Sequence, residues 1–289
     1  MARQIQTDTL IRSTRRSSHK RRARTPALIF FTTLALCVAV GTILIAREAE
    51  YRAARSEYTA IQAILDTTVT STDTLPTPTV FPNEEIAATA PIINPTPKPF
   101  YSARVAQLQK DNRDTVAWLN IPDTIIQYPI VQGTDNTYYM THTFKKKRNA
   151  SGAIFLDCWN SPAFTDFNTV IYGHNMKDGS MFNSLREYRH QGFFDEHPYV
   201  EITLLNTKLL YRVFAAYTSQ GKESEDFRGQ GLDTETQRSA FIKTVRRRST
   251  SVSSFTTVSR HDRLLTLVTC TGSSQQWFWV VHAVLMEEM

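Results

Sequence analysis

The spacing of hydrophobic and polar positions changes along the chain and divides it into distinct segments. Residues 27–46 form an unbroken apolar run, residues 47–66 are rich in Ala, Glu and Arg, and residues 67–99 are rich in Thr, Ser and Pro. From residue 100 onward, short apolar or alternating runs recur between turn residues, which is typical of β-strands. We therefore predict a mainly β domain over residues 100–289, preceded by segments without a core of their own.

The β region contains eight runs with the length and composition of strands, at 116–121, 125–131, 154–156, 169–172, 199–205, 208–217, 264–269 and 277–285. Eight such runs with turns between them predict a closed, antiparallel-rich β-barrel. Helical spacing at 101–112 predicts a short N-terminal helix that packs on the barrel. Residues 233–248 begin with acids and end with Arg, so they predict one long inserted helix.

The N-terminal apolar run predicts a membrane anchor. Residues 27–46 are twenty residues without a charge or an amide side chain, enough to span a bilayer core of about 30 Å at about 1.5 Å per residue. The run is long for a signal-peptide core and no small-residue cleavage motif closes it, so we predict a single uncleaved transmembrane helix.

Charge predicts the orientation of this anchor. Residues 1–26 carry eight Lys or Arg against one acid, whereas the rest of the chain is close to neutral. A basic tail directly before an apolar run stays in the cytoplasm, so we predict an extracellular domain at the plasma membrane. Nucleic-acid binding is the competing interpretation of such a tail. The adjoining apolar run favours the membrane role, and we predict no nucleic-acid partner.

The two segments after the anchor predict a connection to the folded domain. Residues 47–66 favour a juxtamembrane helix that continues out of the membrane. Residues 67–99 contain seven prolines and favour extended, polyproline-like conformations, so we predict a semi-rigid linker that lifts the domain off the bilayer. A Pro-rich ligand for another protein is the alternative.

Two residues at strand ends have the chemistry of a nucleophile and its base. Cys270 lies where one predicted strand ends, and His174 follows Gly173 at another strand-to-loop junction. An imidazolium close to a thiol stabilises the thiolate, which can attack a peptide carbonyl. A cysteine in an apolar strand is more often a small buried hydrophobe, so composition alone leaves both interpretations open.

Short motifs decide between these interpretations. The segments TLVTC at 266–270, YGHNM at 172–176 and GAIFLD at 152–157, with two further matches between residues 118 and 140, resemble the corresponding segments of sortases in their class B form. The resemblance spans residues 101–285 in the family's order. It implies a closed sortase-type β-barrel of about eight strands with an N-terminal helix and one long inserted helix at 233–248. It also implies a membrane-anchored cysteine transpeptidase of Gram-positive bacteria.

The resemblance implies a two-step acyl transfer without a cofactor. Cys270 would attack an NPxTx-like sorting signal of a surface or pilin protein, and His174 would donate a proton to the leaving amine. A peptidoglycan precursor or a pilin amine would then resolve the thioester. The positions that the resemblance gives to substrate binding are Asn136, Met140, Tyr172, Val268 and Thr269. Asn136 in the GTDN sequence is equally well explained as a turn residue.

One feature departs from the family. Sortases carry an arginine on the strand after the cysteine, and here the matching positions are Phe278, Trp279 and Val280, with no arginine after Arg263. Three alternatives stay open. In the first, another arginine reaches the site; in the second, another polar residue substitutes; in the third, the chain is a weakened or inactive homologue that acts as a surface peptide-binding module. The residues considered for the first two are Arg263, Arg260, Arg212, His282 and Gln276.

The remaining cysteines and histidines predict no further chemistry. Cys37 lies in the apolar run, and Cys158 is interpreted as a structural thiol, with redox control as the minority hypothesis. No Cys/His or HExxH pattern is formed by the other histidines, so we predict no metal site. These histidines are His142, His190, His197, His261 and His282.

Overall fold

The computed structural model describes residues 24–70, 100–220, 227–229, 231–253, 257–270 and 277–289. Helices occupy α1 Arg24–Thr70, α2 Phe100–Asp111, α3 Gln191–Glu196 and α4 Glu235–Arg248. Two 3₁₀ turns lie at Tyr138–Met140 and Asn183–Arg189. The chain divides into two compact units, and the boundary falls inside α1, between Glu50 and Tyr51.

The second unit is built on one curved sheet. Its strands are β1 Thr115–Asn120, β2 Gln127–Val131, β3 Ile154–Leu156, β4 Asn168–His174, β5 Tyr199–Thr203, β6 Lys208–Gln220, β7 Ser251–Val252, β8 Leu264–Cys270 and β9 Trp277–Glu288. Their order is β5-β1-β2-β3-β4-β8-β9-β6-β7, and β5 also pairs with β6. This second pairing closes a barrel of eight strands and leaves the short β7 on its edge.

The direction of the strands decides where their ends meet. Most neighbours are antiparallel, but β2 pairs with β3 and β4 pairs with β8 in parallel. The β4–β8 pair is in register over its whole length, from Asn168 opposite Leu264 to His174 opposite Cys270. Because parallel strands point the same way, the carboxyl ends of β4 and β8 lie at the same edge of the barrel.

These two strands lie inside the sheet and are buried on both faces. Every β4 residue before His174 is buried, and so is β8 from Leu264 to Thr269. Parallel strands that are buried on both faces have continuous apolar sequences, rather than sequences in which apolar and polar residues alternate. This explains the sequences of both runs. In β4 the burial ends at His174, which is half-buried.

The eight predicted strands are all confirmed, with boundaries that differ by a few residues. The predicted barrel and its N-terminal helix, α2, are confirmed as well. The predicted inserted helix is α4, which begins two residues later than expected. Thr234 caps it, because its hydroxyl accepts from Gln237 N and the Gln237 side chain accepts from Thr234 N. This reciprocal arrangement is a capping box, which fixes where the helix begins.

The structure bears differently on each of the predictions made for the N-terminal segments. Among the described residues, one helix, Leu28–Ala63, is long and apolar enough to cross a membrane, and it is a candidate anchor. Residues 47–66, predicted to form a helix, are helical as part of α1. The compact unit with the barrel begins at Tyr51, well before the predicted boundary at residue 100. Residues 1–23 of the basic tail and 71–99 of the predicted linker lie outside the described residues.

Candidate active site

The site is built where two parallel strands end together. β4 ends at His174 and β8 ends at Cys270, and the register pairs these residues directly. Neighbouring strands lie about 4.8 Å apart. The fold therefore brings an imidazole-bearing and a thiol-bearing residue, distant in sequence, side by side at one edge of the barrel.

The ring of His174 is oriented by the protein backbone. Its Nε2 lies 2.6 Å from the carbonyl oxygen of Met140. A carbonyl oxygen can only accept a hydrogen bond, so Nε2 carries the proton of the neutral ring and Nδ1 is the basic nitrogen. The carbonyl of His174 accepts from Phe182 N at 2.9 Å. The half-buried ring is thus fixed in one tautomer.

Two glycines are required by the close packing around this histidine. A Cβ at Gly173 would collide with the side chains of Ile154 and Phe182. Gly152 has a φ of +55°, and a Cβ there would lie 2.5 Å from the carbonyl oxygen of Tyr139 and 3.0 Å from the His174 ring. Both positions therefore exclude any larger side chain.

A polar cluster lies on the same face of β4, two residues before His174. The Tyr172 hydroxyl donates to Asp157 Oδ2 at 2.9 Å and accepts from Arg228 Nε at 2.9 Å. Arg228 Nε lies 3.9 Å from the buried Asp157 carboxylate. Burial raises the pKa of Tyr172, so its hydroxyl stays protonated. The arginine is held in place by a tyrosine and a carboxylate together.

Sequence reasoning did not single out Arg228. Its partner Tyr172 lies 56 residues earlier in the chain. Asn168 Nδ2 also holds the Arg228 segment, since it donates to the carbonyls of Phe227 and Arg228 at 3.0 and 2.8 Å. These contacts are all long-range, so no local pattern in the sequence distinguishes Arg228 from the other arginines.

The residues expected to bind substrate are distributed around this edge. Asn136 Oδ1 accepts from Cys158 N at 2.8 Å and so joins two loops. Met140 contributes its carbonyl to His174. Val268 and Thr269 are fully buried. The Thr269 hydroxyl accepts from Trp279 N at 2.9 Å, which ties β8 to β9 beside Cys270.

Neither residue named as a third catalytic member lies beside Cys270. Arg263 directly precedes β8, at the strand end opposite to Cys270, and its guanidinium is paired with Glu288. His282 is fully buried and pairs with Thr266, four residues before Cys270, or about 13 Å along a strand. Continuing the β8–β9 register from this pair places Phe278 opposite Cys270.

The other positions considered for that role are also engaged elsewhere. Arg260 is ion-paired with Glu235 at 2.7 Å. The Arg212 guanidinium lies over the ring of Tyr199, 5.7 Å from its centroid. Gln276 lies outside the described residues. Among the described arginines named above, Arg228 is the one that contacts the strand carrying His174.

A groove runs along this face of β4 from the Tyr172 cluster. It is a cavity of about 410 Å³ between β4, the loop before it and the loop that leads to α4. Its walls carry charges of both signs, and the charged lining residues are Asp157, Asp166, Asp233, Arg228 and Arg238. On β4 the lining residues are Asn168 and Val170, so the cavity lies toward the start of the strand.

Cys158, the cysteine of the barrel unit that lies outside the candidate active site, has a thiol that is kept protonated. Cys158 is a free, half-buried cysteine, and burial together with the Asp157 carboxylate raises the pKa of its thiol. A raised pKa keeps the thiol protonated and less reactive, which favours the structural role over the redox role. In the part of the chain that the structure describes, no cluster of His, Cys, Asp or Glu is arranged to hold a metal ion.

Comparison with known protein families identifies a match over most of the barrel. Residues 119–286 match the Sortase domain family. Sortase B of Listeria monocytogenes is 41% identical over 167 residues, which cover 56% of this chain and 65% of the relative. Sortase B of Staphylococcus aureus is 31% identical over 163 residues, which cover 56% of this chain and 66% of the relative. The chain thus spans just under two thirds of each relative's length.

The fold agrees with these sequence matches. A solved structure described as a Staphylococcus aureus sortase B-substrate complex superposes with a TM-score of 0.68. The superposition covers 82% of this chain and 98% of that chain, at 24% identity. At this identity the likeness shows the shared fold. A solved structure of sortase B from Bacillus anthracis is 33% identical, with a TM-score of 0.58 over 64% of this chain and 84% of that chain.

Proposed function

Because the chain belongs to the sortase family, in its class B, we propose that it is a cysteine transpeptidase that cleaves a sorting signal and transfers the acyl group to an amine. The substrate is a surface or pilin protein with an NPxTx-like signal near its C-terminus. The acceptor is a peptidoglycan precursor or a pilin amine. The single observation that carries the proposal is the direct pairing of His174 with Cys270 at the ends of parallel strands.

The first step forms a thioester. The Cys270 thiolate attacks the carbonyl carbon of the Thr residue in the signal, and a C–S bond forms as the C–N bond breaks. The leaving amine takes a proton from the His174 imidazolium. Because Nε2 is already bonded to the Met140 carbonyl, Nδ1 is the nitrogen that carries the transferred proton.

The second step reverses the proton transfer. The acceptor amine attacks the thioester carbon and gives its proton to His174 Nδ1. The C–S bond then breaks, and the thiolate leaves with the electron pair, so the thiolate–imidazolium pair is restored. No cofactor is needed to balance either step.

The positive charge of the site comes, in this proposal, from Arg228. Phe278 stands in register with Cys270 where the family carries arginine, and it cannot donate a hydrogen bond. The Arg228 guanidinium has five N–H donors in a fixed fork, and its Nε is directed at Tyr172 on the face that leads to His174. The remaining donors are suited to bind the carbonyl oxygens of an extended peptide in the groove.

A second function is favoured by the same Phe278. If no cation reaches the reacting carbonyl, the loss of an oxyanion donor lowers the rate by about 10² to 10³. The chain would then be a weakened or inactive homologue that binds sorting peptides at the cell surface. The two functions share the groove and differ in turnover.

The location we propose follows from the candidate anchor and the charge beside it. The helix Leu28–Ala63 contains the apolar run, and the basic residues before it keep the N-terminus cytoplasmic. The barrel is then extracellular, where sorting signals and wall precursors are found. The domain boundaries proposed from the sequence, at residues 26, 46, 66 and 99, remain proposals.

The Cys270→Ala variant tests the function. We expect the full-length chain in detergent micelles to form a covalent adduct with an NPxTx peptide, detected by intact mass spectrometry, and the variant to form none. Added amine should convert the adduct into a ligated product. Hydrolysis that is unaffected by amine would indicate a plain cysteine protease, and peptide binding without any adduct in the unchanged chain would indicate the binding module.

A further inference from the structure

The part of α1 that belongs to the second unit packs beside the site. Within residues 51–63, Ala54, Tyr58 and Ile61 are buried on the barrel. The Tyr58 ring meets the ring of Tyr128 on β2 edge to face, with centroids 5.3 Å apart. Gln62 Nε2 donates to the carbonyl of Gln127 on the same strand at 2.8 Å. This segment is therefore an integral part of the barrel domain.

Its polar contacts converge on the loops that surround His174. The Tyr58 hydroxyl donates to the Gly152 carbonyl at 2.9 Å and accepts from Phe144 N at 3.3 Å. Glu57 Oε1 accepts from Lys145 N at 2.9 Å. These three backbone groups belong to the segment between Met140, which orients His174, and β3.

A second contact reaches the loop on the other side of His174. Arg55 Nη2 donates to the carbonyl of Asp178 at 3.1 Å. The Tyr128 hydroxyl, under the Tyr58 ring, accepts from Met181 N at 2.9 Å in the same loop. The helix thus contacts both the segment that follows Met140 and the loop that follows His174.

Gly152 connects the Tyr58 hydroxyl to the histidine through closely packed backbone. A Cβ on Gly152 would lie 2.8 Å from the Met140 carbonyl oxygen and 3.0 Å from His174 Cδ2. The next residue, Ala153, donates its N–H to the Tyr139 carbonyl at 2.9 Å. The peptide whose carbonyl accepts from Tyr58 is thus bonded to the residue that directly precedes Met140.

We propose that Tyr58 is a positioning residue of the active site: its hydroxyl holds the carbonyl of the Gly152–Ala153 peptide, and the N–H of the same peptide holds the Tyr139 carbonyl, directly before the Met140 carbonyl that selects the His174 tautomer. The consequence for catalysis rests on the proposed function of His174, but the effect on the ring does not. The hydroxyl is buried, and burial raises the pKa of Tyr58, so it remains a donor at neutral pH. A helix outside the predicted catalytic domain thereby takes part in its chemistry.

The direct test follows the ring nitrogens of His174. Full-length chain with ¹⁵N-labelled histidine, in detergent micelles at a pH at which the His174 ring is neutral, is compared as wild type, Tyr58→Phe and Tyr188→Phe. Tyr188 is the matched control, because it is buried and its hydroxyl also donates to a backbone carbonyl, that of His197. We expect the Nε2–H tautomer of His174 in the wild type and in Tyr188→Phe, and a mixture of tautomers in Tyr58→Phe.

A second variant distinguishes the proposed effect on His174 from a general loss of structure in Tyr58→Phe. Glu57→Ala removes the acceptor for Lys145 N from a half-buried position on the same turn and should shift the His174 signals in the same direction. Unchanged His174 nitrogens in both Tyr58→Phe and Glu57→Ala would overturn the inference.

Kinetics separate this inference from the proposed function. We expect Tyr58→Phe to lower kcat for thioester formation about tenfold with little change in KM, since small misplacements of a catalytic group have effects of this order or larger. Equal kcat in Tyr58→Phe and wild type would count against the inference. Absence of any thioester in the wild type, with the tautomer shift present, would leave the positioning role standing and remove the transpeptidase function.

Discussion

At the scale of single residues, the unusual feature is a phenylalanine where a cation is expected and an arginine nearby that was not expected. The β8–β9 register, continued beyond Val268 and Val280, places Phe278 opposite Cys270. Phe278 contacts Phe227, with ring centroids 6.2 Å apart. Arg228 follows Phe227 directly and turns toward Tyr172 and Asp157. An apolar pair thus occupies the position opposite Cys270, and the adjoining residue is the one that we propose as the source of the charge.

This arrangement predicts the effect of replacing Arg228. We expect Arg228→Ala to lower kcat/KM for thioester formation by about 10² to 10³, because a preorganised donor to the substrate is lost. Arg228→Lys should recover part of the rate, since it keeps the charge but loses the planar fork. Arg238→Ala, in the same groove over the Phe167 ring, is the control and should have a smaller effect. Wild-type kinetics in Arg228→Ala would leave the charge of the site unassigned.

At the scale of elements, the join between β8 and β9 supports the strand end that carries Cys270. The backbone pairs of these strands run from Leu264 opposite Val284 to Val268 opposite Val280. Beyond these pairs, the Thr269 hydroxyl replaces a backbone acceptor, because it accepts a hydrogen bond from Trp279 N. A buried threonine therefore extends the pairing by one residue toward the thiol.

The corresponding prediction concerns Thr269→Val, which keeps the shape and removes the acceptor. We expect faster amide hydrogen exchange at Trp279 and a fall in the free energy of unfolding of about 1 to 3 kcal/mol, the cost of an unsatisfied backbone donor. Thr218→Val, at an exposed position of β6, is the control and should change neither quantity. Unaltered exchange at Trp279 would mean that β9 is held by its backbone pairs alone.

At the scale of the whole molecule, a buried chain of polar side chains crosses four neighbouring strands. Tyr217 Oη lies 3.1 Å from His282 Nε2, and His282 Nδ1 lies 2.8 Å from Thr266 Oγ1. The Thr266 hydroxyl donates to Asn168 Oδ1 at 2.6 Å. Since the single proton of Thr266 goes to Asn168, His282 donates from Nδ1. Burial lowers the pKa of His282 and keeps the ring neutral, so Nε2 accepts from the Tyr217 hydroxyl.

The neutral ring predicts acid sensitivity of the fold. Burial lowers the pKa of His282 from 6.5 to about 3, whereas the unfolded chain binds a proton near pH 6.5. The stability linked to the neutral ring is therefore complete above that pH and is lost as the pH falls toward 3. Between about pH 7 and about pH 5, the wild type should lose about 2 kcal/mol more unfolding free energy than His282→Gln.

Chemical unfolding in detergent micelles at several pH values measures this difference. The exposed His190 provides the control, because its side chain is 59% exposed and His190→Gln should follow the pH dependence of the wild type. Parallel curves for wild type and His282→Gln would show that another group controls the acid sensitivity.

The amino-acid sequence by itself determined the strands, the inserted helix and the candidate anchor. Those signals are local: β-branched and apolar runs between turn residues, a helical pattern that begins with acids and ends with Arg, and twenty apolar residues after a basic tail are each complete within a short window. His174 and Cys270 could also be singled out, because each stands at the end of such a run within a motif.

The tertiary structure decided which of these residues are neighbours. The register that pairs His174 with Cys270, the contact of Arg228 with Tyr172 and the docking of Tyr58 on Gly152 all join distant parts of the chain. Their energies come from burial and hydrogen bonds that exist only once the barrel has closed, so no periodicity within a segment carries them. For the same reason Arg263, prominent in the sequence, lies at the wrong end of its strand to serve Cys270.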